Sequence, residues 1–224
     1  MGRYGVRGAV CAMVAGLTLA GCSAEPDAAG KDAAGKDAAG KGATGGTPAP
    51  SATASPTVPA RGERLGAAGT PCVLPVSFET ARHWTAEKVT VAEDPEFGDL
   101  AKQGTVTLVC EVDAKPAGHI GFIRVWTGTG KGGTARTALE AFVGAEKEAG
   151  KVRYRETTSG GLAATEVTYE ITGEFLDEPK SERAFAVVTP GGPVVLHLGG
   201  LDSAEHRAML PAYELAKKTL TLGS

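Results

Sequence analysis

RAFAVVTPGGPVVLHL, residues 183–198, is the stretch of sequence that decides the fold of this chain. Two largely apolar runs, Arg183–Thr189 and Val194–Leu198, flank a Pro-Gly-Gly-Pro turn at residues 190–193. Proline and glycine between two such runs favour a tight turn that joins antiparallel strands. The stretch therefore predicts the clearest β-hairpin of the chain.

A second hairpin is predicted earlier in the chain, from Gly104–Val112 and Ile120–Thr127. Both runs alternate between apolar and polar residues, which is the pattern of a half-buried strand. Strict alternation in the first run places Val106, Leu108 and Cys110 on one face of the sheet and the intervening residues on the other.

Two helices complete the pattern. Thr134–Ala149 carries apolar residues at helical spacing and ends at Gly150, and a closing helix is predicted with Pro211 in its first turn, where proline is tolerated. The order of strands, hairpin, helix, strand meander and closing helix predicts an α+β domain. Its antiparallel sheet is expected to have about six strands, beside two main helices.

Length and charge exclude several classes of protein. Residues 71–224 contain 16 Lys and Arg against 21 Asp and Glu, a net charge of −5. A nucleic-acid-binding domain needs the opposite balance, so no nucleic-acid partner is expected. These residues suffice for one ordinary domain with its own core, which excludes a multidomain enzyme and a polytopic membrane protein.

The N-terminal residues have the pattern of a secretory leader. Arg3 and Arg7 precede an uncharged, mostly apolar run that is about half the length needed to span a bilayer. The leader ends in Leu-Ala-Gly-Cys at residues 19–22, which resembles the lipobox of bacterial lipoproteins. The resemblance implies that Cys22 receives a thioether-linked diacylglycerol and becomes the mature N-terminus. An ordinary signal peptide with a chance cysteine is the alternative.

The segment after this cysteine is predicted to be a disordered tether. The pentapeptide Gly-Lys-Asp-Ala-Ala occurs twice in residues 30–39, and residues 47–59 are rich in Pro, Ala, Ser and Thr. Such a composition cannot bury enough apolar surface to offset its chain entropy. The predicted organisation is a signal peptide at 1–21, a lipidated tether at 22–70, and a globular domain at 71–224.

Two cysteines remain for other chemistry, because Cys11 lies in the leader and Cys22 in the lipobox. In an exported protein, Cys72 and Cys110 are predicted to form a disulfide. The alternatives are a redox-active pair or a metal site. Redox cysteines usually lie two residues apart, and a zinc site would need a second pair of ligands.

The sequence contains no motif that assigns a catalytic, cofactor or metal site. The glycine-rich residues 128–133 lack the spacing of a phosphate-binding loop, and Asp94–Asp99 lacks that of a calcium loop. His83 and Glu87 lie four residues apart, but His83 is beside Trp84 in a predicted strand region. Surface hydrogen bonding accounts for three of the four histidines of the domain, and none of the four (His83, His119, His197 and His206) is expected to be essential.

The order of elements resembles the PsbP-like fold of exported actinobacterial lipoproteins. The resemblance spans about residues 75–222 and rests on three features: Phe78 and Trp84 near the start, the 185–198 hairpin, and the ending Met209-Leu210-Pro211-Ala212 with Thr219-Leu220. Proteins of that fold are mostly accessory and binding proteins. The leader and tether also resemble those of streptomycete envelope-stress lipoproteins of the CseA type, which are thought to modulate a sensor kinase.

These observations favour a non-catalytic accessory or regulatory lipoprotein, anchored on the extracytoplasmic side of the cell membrane and contacting an envelope protein. A small-ligand-binding lipoprotein that uses the uncovered face of its sheet is the first alternative. An unrecognised hydrolase is the second. No cofactor is expected.

Overall fold

The computed structural model describes residues 58–94, 96–130, 133–173 and 176–223. The predicted signal peptide, the lipidated Cys22, most of the predicted tether, and residues 131 and 132 of the glycine-rich loop lie outside the described residues.

The described part of the chain is mostly β-structure. Its eleven strands, numbered in chain order, are β1 (Arg61–Leu65), β2 (Val76–Ala81), β3 (Thr85–Lys88), β4 (Lys102–Gln103), β5 (Val106–Asp113), β6 (Gly121–Thr127), β7 (Ala149–Ser159), β8 (Leu162–Ile171), β9 (Lys180–Thr189), β10 (Gly192–Gly200) and β11 (Thr221–Leu222). The two α-helices are α1 (Ala135–Gly144) and α2 (Ser203–Thr219). The predicted α+β class with two helices is confirmed. The prediction of about six strands is wrong, because strands of two to five residues, such as β3, β4 and β11, are too short to show a periodic pattern.

The strands form two antiparallel sheets. The large sheet has the order β3-β5-β6-β10-β9-β8-β7, with β4 beside β5, and the small sheet has the order β1-β2-β11. The predicted 183–198 hairpin is confirmed as β9 and β10, in which Val187 pairs with Val194 and the turn is formed by Pro190 and Gly191. This hairpin lies inside the large sheet, with β6 on one side and β8 on the other.

Helices cover the two faces of the large sheet unequally. On one face, α2 and the small sheet pack against the sheet around a large apolar cluster that includes Phe78, Phe185, Leu196 and Tyr213. On the other face, α1 packs through a smaller cluster around Leu139 and a few other side chains: Phe142, Val143, Val167 and Val195. Because α1 has only ten residues, it covers only part of this second face, which is called the α1 face below.

A β-bulge in β5 changes which residues face α1. The pairing with β6 runs Leu108 with Trp126, then Cys110 with Val125, so the register shifts by one residue between Leu108 and Cys110. The strict alternation expected from the sequence is therefore broken. Cys110 points to the face covered by α2, while Glu111 points to the same face as Leu108 and Trp126.

The closing helix begins earlier than the sequence predicts. Asp202 caps α2, and its carboxylate accepts hydrogen bonds from the backbone N–H groups of Ala204 and Glu205, both at 2.8 Å. Pro211 therefore lies in the middle of α2 and not in its first turn. An interior proline costs about 3 kcal/mol, which the N-cap and the burial of one apolar side of the helix offset. None of the helices in the described residues is long and apolar enough to cross a membrane.

The predicted disulfide joins the two sheets. Cys72 lies in the loop between β1 and β2, and it is bonded to Cys110 of β5 with the two Cα atoms 6.0 Å apart. Both residues are almost completely buried. The bond therefore holds the small sheet against the large one.

The folded structure includes β1, which lies within residues 22–70, the segment predicted to be a tether. β1 pairs with β2, with Leu65 opposite Phe78, and Leu65 is fully buried. The sequence RGERL of β1 is mostly polar and exposed, so it has too little apolar character to be distinguished from the tether by composition.

The disulfide predicts a measurable stability difference. We expect the double substitution Cys72→Ala with Cys110→Ala to lower the free energy of unfolding by about 4 kcal/mol, the chain-entropy value for a loop of this length. The measurement is chemical denaturation of the oxidised wild type and of the variant, with the reduced wild type as the control. Equal denaturation midpoints for all three samples would show that the bond adds no stability.

Candidate functional site

The part of the α1 face that α1 leaves uncovered forms an open groove of about 540 Å³. Residues from β5, β6, β8, β9 and β10 form its floor, and the segment just after α1 contributes Glu146. We call this concavity the sheet groove. Its floor is polar and contains Arg124, Trp126, Glu182 and His197.

Strand pairing brings one row of these side chains together. The bulge in β5 sets Glu111 opposite Arg124, and Arg124 is in turn opposite His197 of β10. Arg124 Nε donates a 2.6 Å hydrogen bond to Glu111 Oε1, and its guanidinium lies 5.0 Å from the centre of the Phe122 ring. The charge of Arg124 is therefore already balanced inside the groove.

A buried network surrounds Glu182 in the middle of the floor. Glu182 Oε2 accepts a 2.8 Å hydrogen bond from His197 Nε2, and Lys180 Nζ lies 2.7 Å from Glu182 Oε1. Only 4% of the Glu182 side chain is exposed. The Tyr169 hydroxyl lies 3.2 Å from His197 Nε2, and the two rings are stacked. Because an ionised carboxylate only accepts hydrogen bonds, the proton between Glu182 and His197 lies on Nε2.

Gly199 leaves the room that this network needs. A Cβ atom at this position would lie 3.1 Å from Glu182 Oε2 and 3.3 Å from His197 Cε1. A side chain here would press on the Glu182–His197 hydrogen bond, so glycine leaves this pair its space.

Two buried polar atoms of the floor lack a hydrogen-bond partner within the described residues. They are Trp126 Nε1 and His197 Nδ1. Trp126 is 6% exposed and packs edge-on against Phe142, and His197 is 8% exposed. Buried polar groups in native proteins are nearly always paired, so these two atoms are suited to bind a ligand.

The pKa of the Glu182 carboxyl shows how strongly the network holds its charge. Burial alone would raise this pKa, but hydrogen bonds and charge from His197 and Lys180 outweigh burial and lower the pKa below its ordinary value. Burial raises the pKa of the neighbouring Tyr169 hydroxyl, so this hydroxyl keeps its proton. The floor of the groove is therefore charged at Glu182 and neutral at Tyr169.

One end of the sheet groove has an apolar rim. Leu100, Ile120 and Leu201 line it and are 77%, 57% and 59% exposed. Gln103 and Glu146, which also line the groove, are hydrogen-bonded to each other, because the side-chain amide of Gln103 donates to the carboxylate of Glu146 at 3.2 Å. The same amide also donates to a backbone carbonyl of α1. The groove thus combines an exposed apolar edge with a polar floor, as is common in ligand sites.

A second buried carboxylate, Glu166, lies on the opposite face and has a structural role. It accepts hydrogen bonds from Lys217 Nζ at 2.8 Å and from the Tyr213 hydroxyl at 3.2 Å, both on α2, and from Arg155 at 2.5 Å. Burial would raise its pKa, but these partners lower it overall. Because its partners surround it, Glu166 fixes α2 to β8 and leaves no group for a ligand.

The structure corrects the prediction that surface hydrogen bonding accounts for three of the four histidines. His83 lies in an exposed turn with a positive φ of 67°, and His119 contacts Glu205 at 3.3 Å. His197 and His206 are instead buried. One signal for His197 is present in the sequence, since it interrupts an otherwise apolar run in the central hairpin; Glu182 and Trp126 carry no such signal.

The other residues singled out from the sequence lie away from the sheet groove. Cys72 and Cys110 form the disulfide on the face covered by α2, and Cys22 is outside the described residues. Within the parts of the chain that the structure describes, no group of three or more His, Cys, Asp or Glu side chains is arranged to hold a metal ion.

The lowered pKa of Glu182 predicts a pH-dependent effect of its substitution. A carboxyl group whose folded pKa lies below its ordinary value of 4.5 stabilises the fold above that pH, and this contribution is lost as the pH falls through the folded pKa. We expect Glu182→Gln to cost about 3 kcal/mol at pH 7, since it leaves buried partners without their counter-charge, and clearly less below pH 4.5.

Chemical denaturation of the wild type and of Glu182→Gln, at pH 7 and below pH 4.5, measures the difference in the free energy of unfolding. Glu63→Gln is the control for an exposed glutamate. A cost that does not change with pH would contradict the assignment of a stabilising charge to Glu182.

The structure of this chain is similar to the solution structure of cyanobacterial PsbP (CyanoP) from Synechocystis sp. PCC 6803, with a TM-score of 0.48 and 10% sequence identity. The match covers 71% of this chain and 91% of that one. No curated protein matches the sequence.

A family model is more informative. The model described as "uncharacterised lipoprotein" matches residues 41–220, which include both helices and all strands except β11. The matched range is well over half of the chain, and the chain therefore belongs to this uncharacterised lipoprotein family.

Proposed function

We propose that this lipoprotein is a non-catalytic binding protein of the cell envelope, anchored to the extracytoplasmic side of the membrane through Cys22, and that it holds a neutral, saccharide-like ligand in the sheet groove. In this proposal it acts as an accessory protein whose ligand-bound state is read by an envelope protein, such as the sensor kinase of a stress response.

The observation that carries the proposal is the pair of buried polar atoms without a partner, Trp126 Nε1 and His197 Nδ1. Leaving such a group unpaired costs about 1–3 kcal/mol, so a ligand that satisfies both atoms recovers this free energy. Both side chains line the same open concavity, which has the size of small-molecule sites in proteins.

The chemistry of these two atoms indicates the class of ligand. Trp126 Nε1 can only donate, so it needs an acceptor. Nδ1 of His197 accepts a hydrogen bond when the ring is neutral with its proton on Nε2 towards Glu182, and it donates one when the ring is protonated, so in both states it needs a polar partner. A hydroxyl or an acetamido group offers a donor and an acceptor close together, and saccharides carry several of them.

The charges of the groove also favour a neutral ligand. Arg124 is paired with Glu111, and Lys180 is paired with Glu182, so neither cation is left for an anionic ligand. The half-buried ring of Phe122 adds flat apolar surface of the kind that packs against the apolar face of a sugar ring, while Trp126 and Tyr169 are mostly buried beneath the groove.

The residues of the groove support binding more than catalysis. Glu182 and His197 resemble the acid and base of a catalytic triad, in which a third residue supplies the nucleophile. Among the described residues, those that line the groove include no serine, threonine or cysteine. The non-catalytic role therefore rests on the composition of this surface.

The anchor is tested by Cys22→Ala. The lipid is the proposed attachment, so we expect this variant to be lost from the membrane fraction or to keep its signal peptide. Fractionation of cells and mass spectrometry of the N-terminus measure both results. Unchanged membrane association with normal processing would contradict the anchoring.

Ligand binding is tested on the Cys22→Ala protein through the two tryptophan indole N–H signals in its NMR spectrum. We expect chitotriose, which carries acetamido groups, to shift the signal of Trp126 in a saturable way and to leave that of Trp84 unchanged. Cellotriose, which lacks the acetamido groups, distinguishes hydroxyl from acetamido recognition. His197→Gln keeps a donor towards Glu182 but removes Nδ1, so it should weaken binding at least about tenfold, a loss of one paired polar group.

His83→Gln, in an exposed turn, is the matched control and should bind like the wild type. The absence of any shift of the Trp126 signal with both sugars at about 10 mM, where even a millimolar site is nearly saturated, would overturn the proposed ligand class.

A further inference from the structure

A second concavity lies on the opposite side of the large sheet, between the start of α2 and strands β7 to β9. It has a volume of about 490 Å³, and four basic residues line it: Lys151, Arg153, Arg183 and Arg207. We call it the basic cleft. Its only acidic lining residues are Glu170 and Glu182, so the charges of its lining sum to +2.

This positive charge is local, because residues 71–224 carry a net charge of −5. Both acidic residues of the cleft are already engaged, Glu170 with Lys151 at 2.9 Å and Glu182 with Lys180 and His197 on the other face. Arg183 is paired as well, with Glu214 at 3.0 Å. Among the described residues, no carboxylate lies within 4.0 Å of a nitrogen of Arg153 or Arg207, and both arginines are exposed.

Strand pairing gives the cleft a fixed arrangement. Arg153 of β7 is opposite Thr168 of β8, which is opposite Arg183 of β9. Directly opposite side chains on neighbouring strands lie on the same face and about 5 Å apart. The two arginines therefore lie on either side of the Thr168 hydroxyl. Arg207 approaches the same space from α2.

A buried polar group adds an independent observation. His206 lines the basic cleft, it is 5% exposed, and its Nδ1 atom is buried without a hydrogen-bond partner in the described residues. The charged groups that act on the pKa of its imidazole are Glu182, which raises it, and Arg183, His197 and Lys180, which lower it. An anion with several acceptor oxygens would satisfy His206 and the two unpaired arginines together.

We infer that the basic cleft binds a phosphate group, held by Arg153 and Arg207 and hydrogen-bonded by His206. Arginine is suited to this because its planar guanidinium makes paired hydrogen bonds to phosphate oxygens. A phosphomonoester has a charge close to −2, which matches the +2 of the lining residues. The cleft is larger than one phosphate, so the ligand is a phosphate ester with an organic group.

This site is separate from the proposed saccharide site. The sheet groove is lined by paired charges and has two unpartnered atoms of its own, whereas the basic cleft has unpaired cations on the other face of the sheet. Glu182 and Tyr169 border both concavities. Either site can fail its test without affecting the other.

The burial of His206 provides a reporter inside the cleft. Burial lowers the pKa of its imidazole to about 4, so the ring is neutral at pH 7. A bound anion would stabilise the protonated ring and raise this pKa. A purely structural role of the arginines would leave it unchanged.

The test uses the full chain with Cys22→Ala, so that no lipid anchor contributes to binding. Phosphate esters can be soluble or part of a lipid headgroup, and two arms distinguish these sources. The first arm titrates sn-glycerol 3-phosphate by calorimetry and follows the His206 ring by NMR. The second measures sedimentation with vesicles that contain phosphatidic acid, a lipid whose headgroup is a phosphomonoester, with phosphatidylcholine vesicles as the neutral reference.

We expect Arg153→Ala and Arg207→Ala each to weaken binding at least tenfold in the arm that shows binding, and Arg153→Lys to weaken it less. Both arginines are exposed, so the variants should fold. Arg82→Ala is the matched control, because Arg82 is exposed, lies outside the cleft, and has no carboxylate within 4.0 Å among the described residues. Binding in the first arm with a raised His206 pKa identifies a soluble phosphate ester, and binding only to anionic vesicles identifies a lipid headgroup.

Two results would overturn the inference. One is the absence of binding in both arms. The other is binding that Arg153→Ala and Arg207→Ala reduce no more than Arg82→Ala does, since this would show a general attraction between charges and not a site in the cleft.

Discussion

The burial of the β9–β10 hairpin on both faces is the constraint on which the rest of the structure depends. From Val194 to Gly200 every residue of β10 is buried, which is the condition of a central strand covered by a layer on each side. The two layers cannot be alike, because the chain supplies a helix of 17 residues for one face and a helix of ten for the other. The longer helix and the small sheet close one face, and the shorter helix leaves part of the other open.

The open part of the α1 face explains why polar residues occur in the middle of the sheet. Under the middle of α1, the sheet presents Val167 and Val195 to the helix. Near the last turn of α1, where the ring of Phe142 lies 5.5 Å from that of His197, the same strands present Tyr169 and His197, which also line the groove. A buried charge is stable only when it is paired, and Glu182 satisfies this through two partners. The charged side chains of the groove are therefore paired with one another, which keeps the fold intact. Two buried polar atoms, Trp126 Nε1 and His197 Nδ1, have no partner within the described residues.

The sequence predicts the parts of this protein whose signal is local. The turn at residues 190–193 and the apolar alternation of β6 are sufficient to predict the hairpins. The cysteine count is sufficient to predict the disulfide. The bulge at Leu108–Cys110 could not be predicted, because its cause is the pairing with β6 and not the composition of β5. The same holds for Pro211, whose position within α2 depends on a cap nine residues earlier. The candidate site was missed for this reason: Glu111 reaches the groove only through the bulge, and His197 is buried only because other strands surround it.

The disulfide has a mechanical consequence under the proposed anchoring of the chain through Cys22. A force that pulls on the chain from the N-terminal side enters the described structure at residue 58 and acts first on β1, which is bound to β2 alone in its sheet. β1 can peel away, but Cys72 is covalently attached to β5 of the large sheet. The extension therefore stops after about 15 residues, or about 50 Å of straightened chain. Further load passes through the disulfide directly into the large sheet. Residues 58–72, which include β1, are therefore the part that extends under load.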